Sequence, residues 1–344
     1  MVTTTDSAPK VQFCSVISTE SGESPFASAW HAKRFILAEI PLPWKYSVLE
    51  SPNVPDGLHD LVKGLWAQEI WPAMIGFAPD DEWSVPGHTR IIEFRIPEAP
   101  FNSFEQREYL LPTDKVSDLM ESFLRDEHGE SLEEYRQPHV PDRRDYMVCT
   151  HGAIDACCAK FGYPIYKMMR MMAENPDNNM RVWRCTHFGG HRFAPTMAEM
   201  PSGRYWGHLE ARDLGPIVRR QLPRDLIRDR YRGSALIPNG SAQWAECELF
   251  ARAGWDWTDT LITPGEAPPH DWENPVEEPQ TMSFAFRHEG RGIEGKVDVV
   301  VTPSGFIPTT HSSGAEVKYH DEQQFECTIS GINYDDFFDE PTLP

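Results

Sequence analysis

Apolar positions along the chain follow two periods, one typical of strands and one typical of helices. Short apolar runs predict strands at 34–40, 89–96, 107–111, 146–149 and 180–185. Apolar residues at helical spacing predict helices at 56–66, 114–123, 155–172, 213–221 and 240–254. Asp114, Asp155 and Ser241 stand where N-cap residues are expected. Strands that alternate with helices in this way indicate an α/β protein.

The order of these elements divides the chain into units. Residues 11–140 form an N-terminal α/β portion, and residues 141–225 have the order β-α-β, β-hairpin, α, which resembles a thioredoxin-like domain. Residues 226–280 are predicted to be a helix followed by an acidic, proline-rich connector, and residues 281–335 a small antiparallel β unit. No repeat of fixed period is visible, the first ten residues are polar, and 334–340 is an acidic tail.

Charge and hydropathy narrow the classes of partner. The chain has 32 basic and 53 acidic side chains, a formal net charge of −21, which disfavours binding to nucleic acid or to an anionic membrane. No apolar run approaches the roughly 18 to 20 residues that span a bilayer. The opening MVTTTDSAPK has no basic start and no hydrophobic core, so no secretory signal is expected. We therefore expect a cytoplasmic protein with reduced thiols.

Four of the 7 cysteines fall in two segments, each of which begins where a predicted strand ends. The first contains Cys149 and Cys158, and the second contains His187 and His191. The ends of adjacent parallel strands meet at one edge of a sheet, so these segments are expected to lie together. Behind an Asp155 cap, Cys158 would occupy the first helical turn, where the helix dipole favours the thiolate that a metal requires.

The two histidines are four residues apart, but Gly189 and Gly190 lie between them. Two adjacent glycines disfavour a helix, so we expect a tight loop that directs both imidazoles at one ion. Two cysteines with two histidines can bind either tetrahedral zinc or a [2Fe–2S] cluster with mixed ligands. The spacing by itself leaves both possibilities open.

At these positions the sequence resembles the sucrase/ferredoxin-like family. The matching words are CTHGxxDxCC at 149–158, HFGGHRFA at 187–194, FCS at 13–15, EIPLPW at 39–44 and PxGxYWG at 201–207. The resemblance covers roughly residues 11–220 and leaves the β unit after about residue 280 unassigned. No pair of carboxylates indicates a glycosidase site.

The resemblance implies a thioredoxin-like ferredoxin domain with a [2Fe–2S] cluster. Cys149 and Cys158 would bind one iron, and His187 and His191 would bind the other. Neutral imidazoles in place of two thiolates should raise the reduction potential, and their outer nitrogens should couple it to pH. The expected function is one-electron transfer rather than stand-alone catalysis, with a flavoprotein or NAD(P)H-dependent reductase as the electron donor.

Three alternatives remain open. The four ligands could hold a structural zinc ion in an interaction protein. Cys157 and Cys158 could serve a thioredoxin-like thiol oxidoreductase, although adjacent cysteines are poorly placed for Cys-x-x-Cys chemistry. A third possibility is a ligand set like that of Rieske proteins, with His151 and Cys185 in place of Cys158 and His191. Helical geometry turns Cys157 about 100° away from Cys158, which favours Cys157 as a core residue.

Overall fold

The computed structural model describes residues 11–125, 130–269, 271 and 274–332. The expectations for the first ten residues and for the acidic tail lie outside these residues. The chain forms a nine-stranded mixed sheet with helices and a separate four-stranded antiparallel sheet. The predicted α/β class and the small C-terminal β unit are confirmed.

The first part of the large sheet is built from residues 34–124 and is preceded by helix α1 (Cys14–Ser21). Its elements are β1 (Arg34–Glu39), α2 (Leu58–Trp66), β2 (Ala73–Phe77), β3 (His88–Arg95), β4 (Glu105–Pro112) and α3 (Val116–Leu124), after which comes α4 (Glu130–Glu133). Strand β1 pairs with β2 in parallel and with β3 antiparallel, and β3 pairs antiparallel with β4.

The second part of the sheet follows the same plan. Its elements are β5 (Arg144–Cys149), α5 (Ala156–Ala173), β6 (Met180–Cys185), β7 (Met197–Met200), β8 (Arg204–Trp206) and α6 (Ala211–Val218). Strand β5 pairs with β6 in parallel and with β7 antiparallel, and β7 pairs antiparallel with β8. The two parts meet where β2 and β6 pair antiparallel, so one β-α-β-β-β-α topology occurs twice.

This repeat of topology has no counterpart in a repeated sequence pattern. The hairpin around 201–203 and the closing helix are as the sequence indicates. The thioredoxin-like assignment of residues 141–225 and the unit boundaries stay predictions.

Three further elements connect the large sheet to the small one. They are α7 (Arg224–Arg230), β9 (Tyr231–Ser234), which extends the large sheet beyond β8, and α8 (Ser241–Ala253). Helix α8 contacts β9 on one side and the small sheet on the other, so nearly all of its residues are buried. This explains why α8 lacks a polar face.

The small sheet has the order β10 (Leu261–Pro264), β11 (Gln280–His288), β12 (Ile293–Thr310) and β13 (Tyr319–Ile332). Buried side chains alternate with exposed ones on β11 and β12, as expected for a sheet with one face on the core. Strand β10 lies within the segment that the sequence indicates as a connector, and Ile262 pairs there with Phe101.

Two predicted helix caps are wrong, and several short elements are missing from the prediction. Asp114 lies in a 3-10 turn, Thr113–Lys115, and α3 begins only after it. Ser241 is the first residue of α8, and Gly240 takes the N-cap position with a φ of 86°. The sequence gives no clear sign of α1, β2, α7 or β9, because short elements carry too few periods to be recognised.

A buried network of ion pairs joins the two parts of the large sheet. Arg181 on β6 donates to Asp145 on β5 at 2.7 Å and to both carboxylate oxygens of Glu108 on β4, at 2.8 and 3.0 Å. Arg90 and Arg143 also contact Glu108. Burial opposes ionisation of both carboxyl groups, yet Arg181 holds the pKa of Asp145 and of Glu108 below its usual value.

We expect Arg181→Met to lower the free energy of unfolding by about 3–5 kcal/mol at neutral pH, because the buried carboxylate of Asp145 would lose its ion-pair partner and that of Glu108 would lose one of three. The depressed pKa values stabilise the fold above the unfolded-state pKa, and this stabilisation is lost as the pH falls through the folded-state pKa. The difference in the free energy of unfolding between wild type and variant should therefore become smaller at acid pH. Urea unfolding across this pH range measures both effects.

The matched control is Arg136→Met, whose partner Glu133 is half exposed. Its effect should stay below about 1 kcal/mol. An Arg181→Met effect as small as that of the control would contradict a stabilising role for the network.

Candidate metal centre

The candidate site lies at the carboxyl ends of β5 and β6. The two strands are parallel, and Cys149 and Cys185 are paired as their last residues, so the segments that follow begin side by side. Helix α5 passes close to this edge, because Gly162 has no Cβ: a Cβ there would overlap the carbonyl oxygen of Cys149. The close approach lets the first turn of α5 face the end of β5.

The start of α5 is fixed by Asp155, as the sequence predicts. Its carboxylate accepts a hydrogen bond from the backbone N–H of Cys157 at 2.8 Å. This cap places Cys158 in the first turn, with its side chain directed at the site. Cys149, Cys158 and His187 come together there, with their ligand atoms within 4.8 Å of one another. His187 Nδ1 lies 3.8 Å from Cys149 Sγ and 3.9 Å from Cys158 Sγ.

His191 stands next to this group of three. Its Nδ1 is 3.4 Å from His187 Nε2, and its Nε2 faces the backbone carbonyl of His311, which follows β12. The tight loop between the two histidines is as expected, since Gly189 and Gly190 have φ values of 89° and 67°. Positive φ favours glycine at both positions. At Gly190 a Cβ would also overlap the guanidinium group of Arg232.

Arg232 is a part of the site that the sequence analysis missed. Its side chain is fully buried and donates to the Gly189 carbonyl at 3.2 Å and to the Ser28 hydroxyl at 3.0 Å. Burial lowers the pKa of Arg232 to about 10, and the nearby thiols of Cys149 and Cys158 act in the opposite direction. A buried cation therefore lies beside the loop that bears both histidines, where it favours negative charge on the sulfur atoms.

The protonation states suit metal ligation. Burial raises the pKa of Cys149, but hydrogen bonds with Cys158 and His187 outweigh burial and hold it well below its usual value. The pKa of Cys158 is raised by the hydrogen bond to Cys149 and by burial. The contact between the two sulfur atoms thus favours ionisation of Cys149 before Cys158. Burial and the neighbouring His187 lower the pKa of His191, which keeps the imidazole neutral, the form that binds metal.

The alternative ligand set with His151 and Cys185 is not assembled in the described residues. His151 Nε2 hydrogen-bonds the Lys45 carbonyl at 2.7 Å, and its Nδ1 accepts the backbone N–H of His187 at 3.4 Å. Both ring nitrogens are therefore engaged with backbone, and His151 orients the ligand segment instead. Cys185 is fully buried and lies outside the group of ligand atoms.

Cys157 faces away from Cys158 and belongs to a second cluster. Its Sγ lies 3.4 Å from Cys14 Sγ, 3.2 Å from the Ser15 hydroxyl and 3.1 Å from the Ser313 hydroxyl. The hydrogen bonds from Cys14 and Ser15 lower the pKa of Cys157 to about 7 against the effect of burial. The two adjacent cysteines are thus not a pair. Cys157 is buried, as the sequence predicts; Cys185 and Cys247 are also buried, whereas Cys327 is partly exposed.

Fold and site together define an α/β protein in which two buried cysteines and a partly exposed histidine form a group suited to binding a metal. The chain belongs to the sucrase/ferredoxin-like family, whose model matches residues 25–233. This confirms the family indicated by the sequence. Outside the matched segment, His311 contacts His191, and Ser313 contacts Asp155.

Among curated proteins, the chain is similar to altered inheritance of mitochondria protein 32 of Meyerozyma guilliermondii. The two are 23% identical over 154 residues, which is 42% of this chain and 49% of the relative. The chain thus spans about half the length of that relative. No solved structure matches the chain. Within the described residues, no helix combines the length and apolar character that crossing a bilayer would require.

We expect Cys158→Ala to lose most of the metal bound by the purified protein, because a thiolate ligand would be removed from the site. Cys327→Ser is the matched control, since Cys327 lies in the small sheet, where its sulfur is 3.9 Å from the Trp244 carbonyl. Elemental analysis per chain measures the difference. Unchanged metal content in Cys158→Ala would remove Cys158 from the ligand set.

Proposed function

We propose that this protein is a [2Fe–2S] iron–sulfur protein that carries single electrons. The observation that supports the proposal is the meeting of two thiols and two imidazoles at neighbouring strand ends, in a chain of the sucrase/ferredoxin-like family. Cys149 and Cys158 would bind one iron, and His187 and His191 would bind the other. A cluster held in this way supplies reversible one-electron transfer.

The two imidazoles fit a shared iron. Their facing nitrogens, His191 Nδ1 and His187 Nε2, are 3.4 Å apart. Two imidazole nitrogens on one tetrahedral ion are separated by about 3.3 Å when each bond is about 2.0 Å. The other nitrogen of His191 faces the His311 carbonyl, so its proton is held on Nε2 and Nδ1 is left as the donor atom.

The contact between His191 Nε2 and the His311 carbonyl is also the basis for coupling electron transfer to a proton. Nε2 of His191 carries a proton when the ring is neutral, and electron gain at a bound metal would strengthen its hold on that proton. Two neutral imidazoles also carry less negative charge than two thiolates, which raises the reduction potential relative to all-cysteine ferredoxins. Arg232 acts in the same direction, because its buried positive charge favours the added electron.

The electron donor is proposed to be a flavoprotein or an NAD(P)H-dependent reductase, and the location is proposed to be cytoplasmic. The name of the curated relative refers to mitochondria, so a mitochondrial location is the alternative. Fractionation of cells that express the full chain distinguishes the two compartments.

A structural zinc ion is the second candidate, and one set of distances favours it. Ligand atoms at 2.3 Å for sulfur and about 2.05 Å for nitrogen lie about 3.6 Å apart on one tetrahedral ion. The distances from His187 Nδ1 to the two sulfurs, 3.8 and 3.9 Å, are close to this value. In a zinc site of Cys149, Cys158 and His187 Nδ1, His191 would be a neighbour, because it faces the other ring nitrogen of His187.

Anaerobic purification decides between the two candidates. We expect a coloured protein with visible absorbance and with iron and acid-labile sulfide in equal amounts, two of each per chain. The variant His191→Ala should lose the colour, whereas His59→Ala, on a helix of the other half, should keep it. A colourless protein that contains one zinc and no sulfide would contradict the cluster.

The reduction potential should rise as the pH falls, by about 59 mV per pH unit where one proton accompanies one electron. The sign follows because the reduced, more negative centre binds the proton more tightly. In His191→Cys the potential should be lower and its pH dependence weaker. Protein-film voltammetry measures both values. A wild-type potential that stays constant from acid to strongly alkaline pH would contradict proton coupling.

A further inference from the structure

A second sulfur pair lies on the opposite side of the first turn of α5. Cys14 is the first residue of α1, and Cys157 is the second residue of α5. Their Sγ atoms are 3.4 Å apart although the residues are separated by 143 positions in the chain. Both side chains are fully buried. Neither residue belongs to the ligand set proposed above.

Cys14 Sγ, Cys157 Sγ and Asp155 Oδ1 are close enough to one another to hold a metal ion. The hydroxyl of Ser313, however, contacts all three, at 3.4, 3.1 and 2.7 Å. This oxygen therefore fills the position that an ion would need. The carboxylate of Asp155 is also engaged already, with the backbone N–H groups of Cys157 and Ser313. The cluster is closed by hydrogen bonds, and its remaining chemistry is that of two adjacent thiols.

We propose that Cys14 and Cys157 are a redox-active dithiol that closes to a disulfide and ties α1 to the first turn of α5. The oxidant is a peroxide. One thiol attacks the O–O bond of hydrogen peroxide and becomes a sulfenic acid, and one water leaves. The second thiol then attacks that sulfur, the S–S bond forms and a second water leaves. Two thiols are oxidised, and one peroxide is reduced to two waters.

The movement required is small. The sulfur atoms must approach from 3.4 Å to the length of a disulfide, about 2.05 Å. Cys14 begins a helix of only 8 residues, so the shift falls on a terminal turn, where local opening costs least. Such opening also admits an oxidant that is scarcely larger than water. A bulky disulfide reagent should react more slowly.

The disulfide would join α1 to α5 directly, and hydrogen bonds would link both to the loop after β12. Cys157 is bonded to Cys158 along the chain, and the Ser313 hydroxyl accepts the backbone N–H of Cys14 at 3.0 Å. The loop after β12 bears both Ser313 and His311, whose carbonyl faces His191. Oxidation of the pair would thus fix α1 next to the candidate metal centre without using any of its ligands.

The test uses the full chain with its metal centre loaded. The protein is treated with hydrogen peroxide, free thiols are alkylated, and peptides are mapped without reduction, with fragmentation between residues 157 and 158. We expect one linked peptide pair, Cys14 with Cys157, lighter by two hydrogens than the sum of the free peptides. Dithiothreitol should reverse it, and the Tm of the oxidised protein should rise by about 5 °C.

The variants Cys14→Ser and Cys157→Ser should lose the linked pair, and Cys327→Ser should retain it at the wild-type level. If a variant fails to fold, the peptide map of the oxidised wild-type protein still tests the proposal. Alkylation of both Cys14 and Cys157 after excess peroxide would overturn the proposal, as would a bond from Cys157 to another cysteine. An equivalent of zinc that is lost in both Cys14→Ser and Cys157→Ser but kept in Cys327→Ser would also overturn it. The linkage is read from peptide mass, so the result does not depend on which metal the other site binds.

Discussion

The carboxylate of Asp155 is the constraint on which the rest of the site depends. It accepts the backbone N–H of Cys157 and, from the far end of the chain, both the N–H and the hydroxyl of Ser313. Negative charge at a helix N-terminus is itself favourable, so the cap and the long-range contact reinforce each other. Because the helix begins at this position, Cys157 and Cys158 face different clusters about 100° apart.

The net charge of the whole chain does not describe the local charges at the site. The net charge is −21, yet the loop with His187 and His191 lies against the buried cation of Arg232. Arg192, next to His191, is paired with Glu23 and Glu322, which ties this loop to the segment that follows α1 and to β13. Acidic groups therefore neutralise the outer arginine, while the inner one is left to balance charge on the sulfur atoms.

The small C-terminal sheet belongs to the site although it lies beyond the family match. The loop after β12 brings the His311 carbonyl to His191 and Ser313 to Asp155, and Gly314 pairs with Gln12 ahead of α1. The loop and α1 together cover the start of α5. The matched segment thus contains all four proposed ligands, whereas residues from both ends of the chain hold them in place.

The sequence alone determined those features that depend on residues close together in the chain. The strand ends at Cys149 and Cys185, the Asp155 cap and the glycine loop at 189–190 could all be predicted, because each is a local preference of backbone or side chain. The tertiary structure alone decided the repeat of topology, the burial of Arg232 and the meeting of Cys14 with Cys157 and Ser313. The contacts of Cys14 with Cys157 and Ser313, and of Arg232 with Ser28, join residues more than a hundred positions apart. Such pairings are selected by the packing of whole elements, which leaves no periodic trace in the sequence.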